Sequence, residues 1–152
     1  MPEPIPHYRI GEAAAQAGVS TANIRYYEKE GLLQPQGRAD NSYRLYNPRD
    51  IHQLRFIRLC RAMDMSLDEV RTLLGLDLRK KSDCAAATVA LDEHIGHVRD
   101  RMVELKTLLR ELTELRSRCD GGSSKCLIIE ALHRRADELP KARAQRKPHR
   151  HV

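Results

Sequence analysis

The sequence lacks several features that would assign it to common classes of protein. No stretch approaches the roughly 18 apolar residues of a membrane-spanning helix, and the polar N-terminus does not have the pattern of a signal peptide. No acid–base pair, activated nucleophile or open metal geometry of a catalytic site is recognisable. These absences favour a cytosolic protein that has no contact with a membrane and is not an enzyme.

Cysteine is scarce, with four residues in a chain of 152, a length that allows one or two small domains. In a reducing cytosol these thiols are better suited to binding metal than to forming disulfides. The net charge of +6 is unevenly placed. Residues 1–81 hold 13 basic and 10 acidic groups, residues 82–133 hold 7 and 9, and residues 134–152 hold 7 and 2. This basic head and strongly basic tail permit binding to nucleic acid.

A long amphipathic helix is predicted between Cys84 and Cys119. Its apolar side chains recur at alternating steps of four and three residues, which is the period of a coiled-coil seam. The seam residues are Leu91, Ile95, Val98, Met102, Leu105, Leu109 and Leu112. Because the sequence contains no second long heptad helix, the partner is expected to be the same helix of a second copy.

The positions of three cysteines favour an antiparallel dimer. About 35 helical residues span roughly 50 Å, so Cys84 and Cys119 of one chain cannot bind the same ion. In an antiparallel dimer Cys84 of one chain lies beside Cys119 and Cys126 of the other, which predicts a thiophilic metal site or a disulfide. Ser82 and Asp83 can cap the helix, and Cys84 then lies in the first turn, where the helix dipole favours the thiolate.

The beginning of the chain predicts a helix-turn-helix. Residues 8–17 are expected to form a helix that ends at Gly18, and Ser20 is expected to cap a second helix that runs from Thr21 to Glu30. The second helix presents polar and aromatic groups that suit phosphates and base edges. These groups are Thr21, Asn23, Arg25, Tyr26 and Tyr27. An ordinary helical hairpin fits the same spacing.

A β-hairpin is predicted over residues 36–46, because turn-forming residues 39–42 precede an alternating segment. Arg38, Tyr43 and Arg44 make it a plausible wing that touches phosphates. Two further helices follow the hairpin. Asn47 and Pro48 begin the first of them, and a capping box over residues 66–69 begins the second, which ends at Gly75.

Five motifs of this region occur in a characteristic order. They are Tyr8-Arg9-Ile10-Gly11-Glu12, Ile24-Arg25-Tyr26-Tyr27-Glu28, Gly31-Leu32-Leu33, Tyr43-Arg44-Leu45-Tyr46 and Leu54-Arg55-Phe56-Ile57. Together they resemble the N-terminal domain of the MerR family of transcription regulators, and the resemblance extends over about residues 7–133. It implies a mainly α fold with a winged helix-turn-helix head (1–76), an antiparallel coiled-coil dimerisation helix (82–119), a metal-binding loop with a short helix (119–139) and a flexible basic tail (140–152).

The resemblance also implies a mechanism. Members of the family look like constant binders of double-stranded promoter DNA whose spacer is too long for RNA polymerase. Inducer binding at the ends of the coiled coil shifts the two heads, so that the DNA is bent and untwisted. The inducer thus controls whether the DNA is deformed. The alternative function is a metal-binding buffer protein, but a buffer would need neither a recognition helix nor a wing.

Resemblance to particular branches of the family narrows the choice of inducer. Sensors of monovalent copper or silver carry a small polar residue where Cys84 stands, so the cysteine implies a divalent ion. Zinc sensors tend to have a further Cys or His in the loop, which this chain lacks between Cys119 and Cys126, and mercury sensors usually have a longer loop. The cadmium- and lead-responsive branch is similar in this spacing. Cd(II) is therefore the expected inducer, followed by Pb(II), with Zn(II) and Hg(II) as alternatives.

The fourth cysteine and two histidine pairs have separate interpretations. Cys60 lies in an apolar helix and is expected to be part of the core. His94 and His97 share one helix face, because they are three residues apart. With His149 and His151 of the tail they could form a second, weaker metal site. The alternative is a solvated helix face and a disordered tail.

Overall fold

The computed structural model describes residues 2–34, 37–38, 43–119, 121–122 and 125–140. Within these residues the elements are α1 (Ile10–Ala17), α2 (Thr21–Lys29), β1 (Gly37–Arg38), β2 (Arg44–Leu45), α3 (Pro48–Ala62), α4 (Leu67–Leu74), α5 (Lys81–Ser117) and α6 (Leu127–Glu138). The chain divides into two compact units, residues 1–94 and residues 95–152. The predicted fold class is confirmed for the helical head, its small wing and the long helix.

The turn between α1 and α2 has the chemistry of a helix-turn-helix. Gly18 ends α1 with a φ of 70°, a left-handed conformation that glycine adopts without strain. A Cβ atom at Gly18 would also overlap the guanidinium of Arg58. Ser20 then caps α2, because its Oγ accepts a hydrogen bond from the backbone N–H of Asn23 at 3.0 Å. The turn is therefore held by a local cap and by close packing of α3.

The first helix begins later than predicted. Tyr8, expected to be helical, instead pairs with Tyr46 through backbone N–H···O bonds of 2.7 and 2.8 Å, one in each direction. The helix starts at Ile10, and the Glu12 side chain accepts a hydrogen bond from the backbone N–H of Arg9 at 3.4 Å. This β-bridge between Tyr8 and Tyr46 joins the N-terminal segment to the end of the wing. It pairs both the N–H and the C=O group of Tyr8.

Two reciprocal capping boxes confirm the predicted starts of α3 and α4. The side chain of Asn47 accepts from the backbone N–H of Asp50 at 2.9 Å, and Asp50 accepts from that of Asn47 at 2.9 Å. At α4, Ser66 and Glu69 make the equivalent bonds of 3.2 and 2.7 Å. Each box satisfies two backbone donors that a helix start leaves unpaired.

The core of the head is built from α1 to α4 and the end of the wing. Its largest fully buried side chains are Tyr46, Ile24, Leu33, Leu54, Ile57 and Val70. Cys60 belongs to this core with 2% exposure, as predicted, and burial raises the pKa of its thiol. A thiol that is buried and resists ionisation is a poor candidate for a metal ligand.

Helix α5 is continuous over 37 residues. The seven predicted seam residues on it all remain exposed, by 40–66%. A stripe of this kind is unfavourable in water unless another apolar surface covers it. No helix among the described residues has the length and apolar character needed to cross a membrane.

The start of α5 differs from the prediction. Ser82 and Asp83 were expected to precede the helix as caps, but α5 begins at Lys81 and includes both. The Asp83 carboxylate instead accepts a hydrogen bond from the backbone N–H of Asp77 at 2.8 Å, which ties the first turn to the preceding loop. Cys84 still lies in the first turn, as predicted.

Candidate nucleic-acid interface and metal centre

An open groove of about 1100 Å³ lies between the start of α1, helix α2 and strand β2. Among the residues that the structure describes, four basic side chains line it, contributed by Arg9, Arg25, Lys29 and Arg44. The acidic residues in this part of the lining are Glu12 and Glu28. A concave surface with this excess of positive charge suits the phosphate backbone of a nucleic acid.

The predicted contact residues of α2 differ in exposure. Arg25 and Tyr26 are exposed, and Thr21 and Asn23 are half-buried, so these four can present groups at the surface. Tyr27 is a correction, because it is only 6% exposed and belongs to the hydrophobic core. Burial raises the pKa of its hydroxyl group. Its role is therefore to support the helix from inside, while Tyr26 faces outward.

The wing is the predicted antiparallel hairpin, with Gly37 opposite Leu45 and Arg38 opposite Arg44. The predicted turn, residues 39–42, and the side chain of Arg38 lie outside the described part of the chain. Tyr43 is 61% exposed, and the guanidinium carbon of Arg9 lies 5.6 Å from the centre of its ring. This cation–π contact joins the wing to the residue before α1.

Glu28 was not predicted to have a role, although it organises one wall of the groove. Its carboxylate accepts hydrogen bonds from the Arg44 guanidinium and from the Tyr46 hydroxyl. Burial raises the pKa of Tyr46, against the opposing effect of nearby Arg44 and Arg25, so the hydroxyl stays protonated and donates. The sequence offered no specific signal for this role, because Glu30 is a second acidic residue on the same predicted helix.

The three predicted metal-binding cysteines are exposed free thiols. Cys84 belongs to the first compact unit, whereas Cys119 and Cys126 belong to the second. Cys119 follows the end of α5, and Cys126 is the N-cap residue of α6. Loop residues 120, 123 and 124 lie outside the described part of the chain.

The position of Cys126 adds a feature that the sequence did not reveal. Like Cys84 in α5, it lies at the N-terminal end of a helix. Thiolates are the forms that bind metal, and three accessible sulfur donors suit a soft divalent ion. The chemistry of these donors therefore fits a thiophilic metal.

His94 is not part of a solvated helix face. It is 8% exposed, with Nε2 at 2.8 Å from the Met63 carbonyl oxygen and Nδ1 at 3.2 Å from a Glu69 carboxylate oxygen. Because a carbonyl only accepts, Nε2 is the donor in the first contact. His97 lies one turn further along α5 and is exposed, while His149 and His151 lie outside the described residues. The second metal site remains a prediction.

Comparisons with known proteins match this arrangement. The profile of the MerR HTH family regulatory protein matches residues 8–76, and the profile named MerR, DNA binding matches residues 51–115. The transcriptional regulator HmrR of Sinorhizobium medicae is 40% identical over 125 residues, which cover 81% of this chain and 84% of HmrR. The chain belongs to the MerR family of helix-turn-helix regulators.

Two further transcription regulators are similar to this chain over most of its length. The transcriptional regulator ZntR of Escherichia coli is 35% identical over 133 residues, which cover 85% of this chain and 94% of ZntR. The crystal structure of the transcription regulator PbrR691 from Ralstonia metallidurans in complex with lead(II) has 43% sequence identity and a TM-score of 0.68. That match covers 82% of this chain and 98% of PbrR691. These relatives are transcription regulators, not enzymes, in agreement with the prediction.

Proposed function

We propose that this MerR-type regulator binds promoter DNA as a homodimer and activates transcription of heavy-metal resistance genes when Cd(II) binds to it. Pb(II) is the second candidate. The observation that carries the proposal is helix α5, whose exposed apolar stripe has an exposed cysteine in its first turn and another just after its end. One helix thus supplies a surface for a second copy and a thiol near each end.

Pairing of two α5 helices explains the exposed stripe. The seven seam residues repeat at the coiled-coil period and would be buried between two copies. In an antiparallel pair, the first turn of one α5 lies beside the last turn of the other. Cys84 of one copy would then meet Cys119 and Cys126 of the second copy, so each dimer would hold two equivalent metal sites.

The choice of metal follows from the donors. Three thiolates match the preference of soft ions such as Cd(II) and Pb(II), whereas zinc prefers a fourth protein ligand in a closed site. The lead(II) complex of PbrR691 supports a heavy divalent ion in a protein 43% identical to this chain. Zn(II) and Hg(II) are kept as the alternative inducers.

The proposed response is a change in DNA shape. Metal binding joins residues from two chains, so it favours the dimer geometry in which both cysteine sets converge. The heads follow this change and distort the promoter, which brings its two elements into register for RNA polymerase. A difference of a few kcal/mol in metal affinity between the two dimer shapes is enough to shift this equilibrium.

Footprinting of the promoter nearest its own gene, with and without Cd²⁺, tests the function. We expect protection of the same operator in both conditions, with new cleavage-sensitive positions in the spacer when Cd²⁺ is present. We expect this pattern because the protein binds the operator with or without the metal but distorts the DNA only when the metal is bound. A metal buffer would leave no footprint, and such a result would exclude the proposal.

Removal of basic side chains from the groove tests the DNA-contacting residues. Arg25→Ala and Arg44→Ala should each weaken operator binding by roughly 1–2 kcal/mol, because each removes a charge-assisted contact to the DNA. Fluorescence anisotropy with a labelled operator at physiological salt measures the loss. Arg101→Ala is the matched control, since it removes the same charge from the exposed surface of α5. Unchanged affinity of both groove variants would reject the assignment.

A further inference from the structure

The carboxylate of Glu28 is buried at the edge of the basic groove. Its side chain is only 5% exposed, although neighbouring Arg25 and Lys29 are exposed. One carboxylate oxygen accepts from Nη1 of Arg44, and the other accepts from the hydroxyl of Tyr46. Both oxygens of one α2 residue are therefore bonded to residues of the wing segment.

The two donors differ in how firmly they are held. Tyr46 is completely buried, and its backbone is paired in both directions with Tyr8. The side chain of Arg44 is 48% exposed. Glu28 thus connects a fixed point in the core to a basic group that can still reach an external ligand.

Charge alone would make Glu28 unfavourable for the function of this surface. A negative charge beside a DNA-binding groove repels phosphates and reduces the net positive charge available to them. The buried carboxylate also loses hydration, which its two hydrogen bonds offset. A positional role accounts for an acid at this place.

We propose that Glu28 is a positioning residue that presents Arg44 to an operator phosphate and fixes the wing against the recognition helix α2. A guanidinium has five N–H donors in a planar fork, so it can bond to Glu28 and to a phosphate at the same time. Holding Arg44 in advance reduces the side-chain freedom that DNA binding would otherwise remove. The inference rests on the proposed contact between Arg44 and DNA.

Glu28→Gln separates positioning from simple electrostatics. The substitution keeps the side-chain shape and removes one negative charge, which by charge alone should tighten DNA binding. We expect instead that operator binding becomes about fivefold to tenfold weaker, because the charge-assisted hold on Arg44 is lost. Glu30→Gln is the control, since Glu30 is an exposed residue at the end of α2. It should bind with unchanged or slightly higher affinity.

A double variant tests whether Glu28 acts through Arg44. In an Arg44→Gln background, adding Glu28→Gln should produce little further loss of affinity, because the group that Glu28 positions is already absent. A full and additive loss would overturn the inference. Operator binding by Glu28→Gln as tight as, or tighter than, the unaltered protein would also overturn it. Circular dichroism and thermal melting confirm that each variant is folded.

Arg44→Lys provides a second route if Glu28→Gln does not fold. About half of the Arg44 side chain is exposed, so this change is compatible with the fold. Lysine keeps the charge but lacks the planar fork, so we expect binding weaker than that of the unaltered protein but tighter than that of Arg44→Gln. Full affinity in Arg44→Lys would reject positioning. Unchanged affinity in Arg44→Gln would remove the proposed DNA contact itself, whereas loss in Arg44→Gln with none in Glu28→Gln would remove only the positioning role.

Discussion

Replacement of any one of Cys84, Cys119 or Cys126 by serine is expected to abolish metal-induced transcription and to leave operator binding intact. Each change removes a thiolate from a proposed set of three, and a hydroxyl is a poor ligand for a soft ion. None of the three is among the described residues that line the basic groove. A promoter–reporter assay measures induction, and anisotropy measures operator affinity. Titration of the ultraviolet thiolate-to-metal charge-transfer band with Cd²⁺ measures the site directly.

Cys60→Ser is the internal control for this series. Its sulfur is buried in the core, so metal binding and induction should persist. Stability should fall by about 1–3 kcal/mol, because a hydroxyl replaces a thiol in apolar surroundings.

Cadmium binding by the unaltered protein should weaken as the pH falls, since protons compete for the sulfurs. Zn²⁺ should induce less than Cd²⁺. An undiminished cadmium band in Cys84→Ser would show that the loop cysteines bind without the second subunit.

Mixed dimers should recover a metal site that neither parent dimer has. One subunit carries Cys84→Ser, and the other carries Cys119→Ser with Cys126→Ser. If Cys84 is contributed in trans, one end of the mixed dimer retains all three thiols and the other end retains none. We therefore expect about one tight cadmium site per mixed dimer, where two unaltered chains give two. Two affinity tags allow the mixed species to be isolated.

Each parent homodimer is the control for the mixed dimer, because neither of its ends has all three thiols. Equilibrium dialysis counts the bound metal, and the charge-transfer band identifies sulfur ligation. Absence of a recovered site in the mixed dimer would exclude ligation by Cys84 in trans and would contradict the antiparallel arrangement. Recovery together with restored DNA distortion would connect the metal site to the switch.

Local chemistry made several elements of the head predictable from the sequence. Asn47 followed by Pro48, and Ser66 followed three residues later by Glu69, satisfy the first backbone donors of α3 and α4 by themselves. Gly18 likewise ends α1 with a conformation that suits glycine. Such features depend on neighbours within a few positions, so they can be recognised in a single sequence.

Features that depend on distant parts of the chain were not predictable. Tyr8 pairs with Tyr46. Glu28 bonds to Arg44, which is 16 residues away in sequence, and to Tyr46, which is 18 residues away. His94 is buried and contacts Glu69 across 25 residues. No local pattern specifies which of many polar residues will meet after folding.

Tyr27 is a different case, because the necessary signal was present. It follows the buried Ile24 by three residues, and residues at that spacing share a helix face. The helical period therefore places Tyr27 toward the core and Tyr26 toward the surface. Arg25 and Tyr26 were correctly expected at the surface, but grouping both tyrosines as DNA contacts gave aromatic character more weight than its position on the helix.

The exposed stripe of α5 also affects how the cell maintains the amount of this protein. A chain without a partner leaves seven large apolar side chains in water, and such surfaces attract chaperones and proteases. Pairing removes that surface by mass action, so protection from degradation rises with the concentration of the chain itself. The steady-state level of the regulator would then be set by subunit association as well as by synthesis.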